Sequence, residues 1–179
     1  MKLGAVFVDP RHRLDVVAGI VDGILNGLIL AAGKLLSGSG ASWMLIVKVG
    51  AATGFTTFFV FFVAHYAQAR TDLVRAEREL NLMKHGKLAT TRLGQQVLTE
   101  SLIGATIASF CGLLGAFAPL FLGMVLPPLL GITITFLLLG GLGVVLAHTF
   151  YGSPWLWGGA IMAGGALLTY VGLHLDIVG

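Results

Sequence analysis

Three oxygen-bearing side chains recur along an apolar stretch near the start of the chain: Asp15, Asp22 and Asn26. At about 100° per residue, this spacing brings all three to one face of an α-helix. A carboxylate in the middle of a lipid-exposed helix costs about 2.5–3.5 kcal/mol even on insertion scales, so intramembrane acids generally serve ion or proton pathways. Their oxygens are ligands that hard divalent cations prefer. We therefore treat Asp22 as the central candidate metal ligand, with Asp15 and Asn26 beside it.

Each of these residues also has a purely structural interpretation. Asp15 could be a first-turn helix residue beside Arg11 or Arg13, where the helix dipole favours an acid. Asn26 could hold two helices together by hydrogen bonding. The series Gly19-x-x-x-Gly23-x-x-x-Gly27 shares part of the same face. Such spacing indicates close packing against another helix more often than an ion path.

A second polar stripe follows in the next apolar segment. Gly50, Thr53 and Thr57 align on one helical face, and His65 lies at its edge. We expect the two threonine hydroxyls to bond to backbone carbonyls of their own helix. His65 is a candidate ligand or an interfacial residue near the end of its segment. Two segments with small polar faces should pack together, which would leave oxygen and imidazole ligands for a divalent metal such as iron between them.

Three further acids are candidates for gathering ions: Glu77, Glu79 and Glu100. The first two lie in the most polar stretch of the chain, and Glu100 lies near the start of the third apolar segment. The alternative for this stretch is ordinary ion pairing, because Arg75 lies three residues after Asp72 and four before Glu79.

No catalytic motif is present in the sequence. It contains no GxSxG, HExxH, Walker or dinucleotide-binding signature. The single cysteine, Cys111, excludes an intramolecular disulfide and a CxxC metal site. We predict that the protein is not an enzyme, has no catalytic residues and no resident cofactor, and does not bind nucleic acid.

The elements that must position these residues are membrane helices. Of the 179 residues, 56% are hydrophobic and 11% charged, against about 25% charged in ordinary soluble domains. About 20 apolar residues cross a bilayer. The sequence predicts an all-α membrane protein with about five transmembrane helices, near residues 14–36, 42–68, 98–124, 129–149 and 155–175.

The segment between the second and third spans carries six basic residues: Arg70, Arg75, Arg78, Lys84, Lys87 and Arg92. Ala69 to His85 contains neither proline nor glycine, so we predict that the second helix continues past the membrane. The positive-inside rule predicts that the N-terminus and residues 70–97 are cytoplasmic. The C-terminal Asp176 would then lie on the opposite side. Asp22 argues against a cleavable signal peptide.

This organisation divides the single membrane domain into three parts. Residues 1–69 hold the first two helices, residues 70–97 form a short cytoplasmic helical insert, and residues 98–179 hold three further helices. We expect an integral, multi-pass protein in contact with lipid. Which membrane it occupies does not follow from the sequence.

Several motifs resemble the vacuolar iron transporter (VIT) family. They are the run Asp15-Val-Val-Ala-Gly-Ile-Val-Asp22-Gly23, the third-span segment from Ala105 to Leu120, and the final stretch from Gly152 through Gly172. The similarity covers nearly the whole chain. It implies a homodimer that exports Fe²⁺ and related divalent ions such as Mn²⁺ from the cytoplasm in exchange for protons, with an ion path between the first and second spans. Asp22 matches the family's first-span aspartate.

The chain also departs from the pattern of that family. His65 stands where a glutamate normally precedes the tyrosine, and the acidic insert is shorter, retaining Glu77 and Glu79. A histidine in place of glutamate removes a negative charge and favours softer ions. These departures keep a second hypothesis open, a non-transporting scaffold or metal sensor whose projecting helix recruits a partner.

Overall fold

A computed structural model describes residues 10–36, 42–79, 91–149 and 151–174. These ranges form five α-helices, and no strand occurs within them. The helices are α1 (Pro10–Leu36), α2 (Trp43–Glu79), α3 (Arg92–Val125), α4 (Pro128–Thr149) and α5 (Pro154–His174). The predicted all-α architecture is confirmed.

Proline marks the beginning of three of these helices, because its missing N–H is not needed in the first turn. Pro10, Pro128 and Pro154 are the first residues of α1, α4 and α5. The hydropathy pattern placed the third span near residue 98, but α3 begins at Arg92. Hydropathy detects the membrane boundary, whereas a helix continues through polar residues that favour it, such as Gln95 and Gln96.

Four of the helices, α1 to α4, are long and apolar enough to cross a membrane. The fifth has 21 residues, which meets the length requirement, and its crossing remains a prediction. α2 has 37 residues and is about 55 Å long, well beyond the roughly 30 Å of a hydrocarbon core. The predicted continuation of the second helix is therefore confirmed as far as Glu79. The rest of it, to His85, lies outside the described residues.

At the centre of the fold, α1 and α3 pack so closely that their backbones are in contact. Gly19, Gly23 and Gly27 of α1 face the α3 backbone at Ala108, Gly112 and Ala116. A Cβ at Gly27 would lie 2.6 Å from the carbonyl oxygen of Ala116, a distance that real Cβ atoms do not adopt. The predicted close-packing role of this glycine series is confirmed, and its partner lies within the same chain.

The expectation that the first two spans pack chiefly on each other needs refinement. α1 and α2 do touch, but each packs most extensively on α3. One buried cluster joins all three helices through Ala31, Ile46 and Leu120. A second joins α1 to α4 through Ile24, Leu28 and Leu139. α3 therefore holds α1 and α2 at the distance where their polar side chains meet.

The last two helices form a hairpin beside this group. Gly143 of α4 lies against the backbone of Gly158 in α5. The turn between them passes through Tyr151, whose φ is 54°, and the Gly152 N–H donates to the Ala147 carbonyl, at 2.9 Å. This turn reverses the chain at the end of α4, so that α5 packs back along it.

Candidate functional site

The carboxylate of Asp22 is partly buried between α1 and α2, and both of its oxygens are hydrogen-bonded. Thr57 Oγ1 donates to Asp22 Oδ2 at 2.6 Å, and Asn26 Nδ2 donates to Asp22 Oδ1 at 3.2 Å. The Thr57 side chain is buried, with 2% of its residue surface exposed. Hydrogen bonds to a charged acceptor are among the stronger ones, so these contacts offset part of the desolvation of the carboxylate.

The expectation that Thr57 bonds to its own helix backbone was wrong. Its hydroxyl crosses the gap between two helices to reach Asp22. Thr56, the adjacent residue, follows the expected pattern and donates to the Ala52 and Thr53 carbonyls. The difference is one of position, because Thr57 faces α1 and Thr56 is exposed.

Asp15 lies seven residues, or about 10.5 Å, from Asp22 along α1. It is 2% exposed and lies between two imidazoles. His65 Nε2 is 3.1 Å from Asp15 Oδ1, and His12 Nδ1 is 3.4 Å from Asp15 Oδ2. The expectation that oxygen and imidazole side chains lie between the first two spans is met at Asp15 and His65. Sequence reasoning missed His12, although its i,i+3 spacing from Asp15 was visible.

One oxygen of Asp15 is without a hydrogen-bond partner among the described residues. Oδ1 is buried, and His65 Nε2 lies near it without the alignment of a hydrogen bond. Buried polar atoms are nearly always satisfied, and a buried carboxylate is costly unless it is paired. This oxygen is therefore placed to accept a proton or to ligate a cation.

Asp15 and Thr57, the hydrogen-bond partner of Asp22, lie against glycines of α3. A Cβ at Gly104 would come within 2.9 Å of Asp15 Oδ2 and 3.0 Å of His65 Nδ1. A Cβ at Gly112 would come within 2.9 Å of Thr57 Oγ1. The absence of a side chain at these two positions makes room for the polar groups, which the glycine content of the third span did not by itself predict.

A cavity of about 420 Å³ opens beside Asp15 at the end of the bundle where α2 projects. Its lining includes three acids, two histidines, a glutamine and a serine together with apolar residues. None of the described residues that line it is lysine or arginine. The electrostatic character of this space favours cations. The lining residues are His12, Asp15, His65, Gln68, Ala69, Asp72, Val97, Glu100, Ser101 and Ile103.

The remaining predicted residues are distributed unevenly around this cavity. Glu100 lines it and is exposed, with an interaction partner of its own. Glu79 is exposed at the end of α2, away from the lining. Glu77 is fully buried and also has an interaction partner, so in this conformation it is not accessible to ions in solution.

Within the described parts of the chain, no group of three or more His, Cys, Asp or Glu side chains is arranged to hold a metal ion. Asp22 and Asp15 instead form two separate small polar clusters, one inside the bundle and one beside the cavity. A single chain therefore presents a few ligands at each of two levels, rather than a closed coordination shell.

Comparisons with protein-family models, with curated proteins and with solved structures find no match for this chain. The resemblance to VIT proteins consequently depends on the sequence motifs alone.

Proposed function

We propose that this protein transports a divalent metal ion across the membrane, with Asp22 as the central ligand of the path. The observation that carries the proposal is the placement of two α1 carboxylates inside the bundle. Asp15 and Asp22 face polar groups of α2. Carboxylates inside a membrane helix are energetically unfavourable, so a helix that served only for packing would not need them.

The proposed path begins at the cavity beside Asp15. Glu100 and Asp72 line that cavity and attract cations from the cytoplasm. The unsatisfied oxygen of Asp15 is the first buried ligand that an ion meets. Asp22, about 10.5 Å further along α1, is the next, and Asn26 and Thr57 supply amide and hydroxyl groups there.

Completing the coordination shell requires more ligands than the described part of one chain presents at either level. Water or a second copy of the chain would supply them, and the homodimer that the VIT resemblance implies is part of this proposal. The α1 glycine series does not support a dimer, because α3 of the same chain covers it. A dimer would have to use another surface.

Iron and manganese are the proposed substrates by family resemblance. Imidazoles beside Asp15 favour the later transition metals over manganese and magnesium. Protons and metal ions compete for carboxylate and imidazole ligands, and imidazole is the ligand type that generally exchanges its proton near neutral pH. Flux should therefore fall when the loading side is acidified between pH 8 and pH 5, and a flux that is constant over this range would contradict proton coupling.

Flux into proteoliposomes tests the transporter proposal directly. Fe²⁺, Mn²⁺ and Zn²⁺ are offered separately to wild type, to Asp22→Asn and to Thr135→Val. Thr135 is the matched control, since it is a buried membrane hydroxyl that bonds to the Gly131 carbonyl of its own helix. We expect flux of at least one ion, lost in Asp22→Asn and retained in Thr135→Val. Equal flux in wild type and Asp22→Asn would place the path elsewhere.

The alternative function is that of a scaffold or metal sensor, and the observation that favours it is the projection of α2. This helix continues ten residues beyond Ala69, as far as Glu79, and most of these residues are exposed. Absence of flux for every ion, in folded protein and with a pH gradient of either sign, would support this function. Asp22→Asn should then leave partner binding intact.

A further inference from the structure

A second cavity, of about 450 Å³, lies on the opposite side of the start of α1. It is a cleft between the first turns of α1 and the last turns of α4. Three valines form its wall, namely Val16, Val17 and Val145. Arg13 and His148 flank the cleft, and both are exposed.

The position of this cleft follows from the topology. If α1 to α4 each cross the membrane, the start of α1 and the end of α4 lie on the same side, the one predicted to be cytoplasmic. Arg13 and His148 then lie at headgroup level, while Val16, Val17 and Val145 are about one turn deeper in the hydrocarbon. The cleft thus has a polar, basic mouth and an apolar wall that faces lipid.

The two faces of the start of α1 differ in charge. Arg13 and Asp15 are two residues apart, about 200° around the helix, so Asp15 faces the acidic cavity while Arg13 faces the cleft. The helix ends contribute little net field at the mouth, because the positive end of α1 and the negative end of α4 lie side by side. The Thr149 hydroxyl donates to the Val145 carbonyl, at 3.0 Å. Among the described residues that line the cleft, Arg13 and His148 are thus the side-chain donors available to a ligand.

We propose that this cleft binds one anionic phospholipid, with its phosphate at Arg13 and His148 and an acyl chain along the valine wall. Basic pockets between membrane helices on the cytoplasmic side have the chemistry that anionic headgroups require. The wall accounts for the acyl chain, since its apolar surface gives no ligand to a free inorganic phosphate. This inference does not depend on ion transport.

The test is retention of lipid by the full-length protein in detergent, measured by native mass spectrometry. The probes are phosphatidylglycerol and phosphatidylcholine with identical acyl chains. We expect the wild-type protein to retain one phosphatidylglycerol molecule. The affinity for it should be about fivefold lower in Arg13→Gln, because a basic residue near an anionic surface contributes about 1 kcal/mol. Arg92→Gln is the control, because Arg92 is an exposed basic residue near the same membrane surface that does not line the cleft.

A second variant tests the apolar part of the site without changing any charge. Val145 is 48% exposed, so Val145→Trp can fill the cleft without displacing buried residues. We expect it to lose phosphatidylglycerol retention at least as strongly as Arg13→Gln. Equal retention of both lipids by wild type would overturn the anionic specificity. Unchanged retention in both Arg13→Gln and Val145→Trp would overturn the site itself.

Discussion

At the scale of single residues, the two α1 aspartates are stabilised in different ways. Asp22 has a hydrogen bond on each oxygen, whereas Asp15 has an oxygen that is buried and unsatisfied. The first arrangement holds a carboxylate in one orientation, and the second leaves a ligand position open. This difference leads to separate predictions for the two sites.

Replacing Thr57 by valine should destabilise the protein only while Asp22 is present. Thr57→Val removes a 2.6 Å hydrogen bond to the carboxylate, and interhelical hydrogen bonds in membranes contribute about 0.6–2 kcal/mol. We expect a lower thermal unfolding midpoint in detergent, with Thr57→Ser close to wild type. The control is the same pair of variants in an Asp22→Ala background. An equal loss in Thr57→Val there would mean that a misfit of the added methyl group, and not the lost hydrogen bond to Asp22, is responsible.

Replacing His65 by glutamate should change which ion is preferred. His65→Glu places a second carboxylate beside Asp15, where His65 Nε2 now lies 3.1 Å from Oδ1. Carboxylate ligands suit Mn²⁺, whereas imidazole suits the later metals. We expect the ratio of Mn²⁺ to Zn²⁺ flux to rise about tenfold, an order-of-magnitude estimate for one changed ligand.

Thr71→Glu is the control for that experiment, since it adds the same charge to an exposed position of α2 that does not line the cavity. An equal rise in the Mn²⁺ to Zn²⁺ ratio in both variants would show that surface charge, not coordination at His65, sets the preference. A ratio unchanged in His65→Glu would remove His65 from the path.

Sequence reasoning located the acids but not their partners. Asp15, Asp22 and His65 are conspicuous because they are ionisable residues in apolar segments. Helical periodicity assigns a residue to a face, but it does not say which neighbouring helix that face meets. For this reason Thr57 was assigned to its own backbone, although it contacts Asp22. His12 was overlooked for a different reason: its contact with Asp15 lies within α1, at an i,i+3 spacing that the sequence does show.

At the scale of the helices, glycine determines how closely α1 and α3 approach. The bounds of α1, α4 and α5 were predictable from hydropathy to within a few residues, since lipid imposes both length and composition. α2 and α3 continue further than hydropathy predicted, through polar residues. Which helix packs on the α1 glycine face was not predictable, because small residues permit close approach to any helix that also has small side chains at the contact. Here that helix is α3, where Ala108, Gly112 and Ala116 are equally small.

Adding a single methyl group at Gly23 should disrupt this contact. The new Cβ would meet the Gly112 carbonyl oxygen and lie 2.8 Å from the Ala116 nitrogen, both of them backbone atoms that cannot move alone. Overpacking of this kind costs about 1–3 kcal/mol, so Gly23→Ala should lower the thermal unfolding midpoint in detergent. Gly164→Ala is the matched control, because a Cβ there meets nothing within 4 Å. Equal midpoints for the two variants would contradict the α1–α3 packing.

At the scale of the whole molecule, the five helices imply that the chain alternates between the two sides of the membrane. α2 and α3 have 37 and 34 residues and are therefore longer than the other helices. Their extra length extends the bundle on the side of the acidic cavity. The basic residues Arg70, Arg75, Arg78 and Arg92 lie on that same side. We predict that this positive surface charge places that side in the cytoplasm. Within it, the acidic lining beside Asp15 is a local region that favours cations.

The crossing of α5 is the part of this topology that most needs a direct test. In a Cys111→Ala background, single cysteines are placed at Arg75, Ser153, Ser42 and Asp176 and labelled with a membrane-impermeant maleimide in sealed, oriented vesicles. Arg75→Cys and Ser153→Cys should react from the cytoplasmic face, and Ser42→Cys from the opposite face. Asp176 lies outside the described residues. If α5 spans the membrane, Asp176→Cys should be labelled from the same face as Ser42→Cys. Reaction together with Ser153→Cys would mean that α5 lies on the cytoplasmic surface and that only α1 to α4 cross.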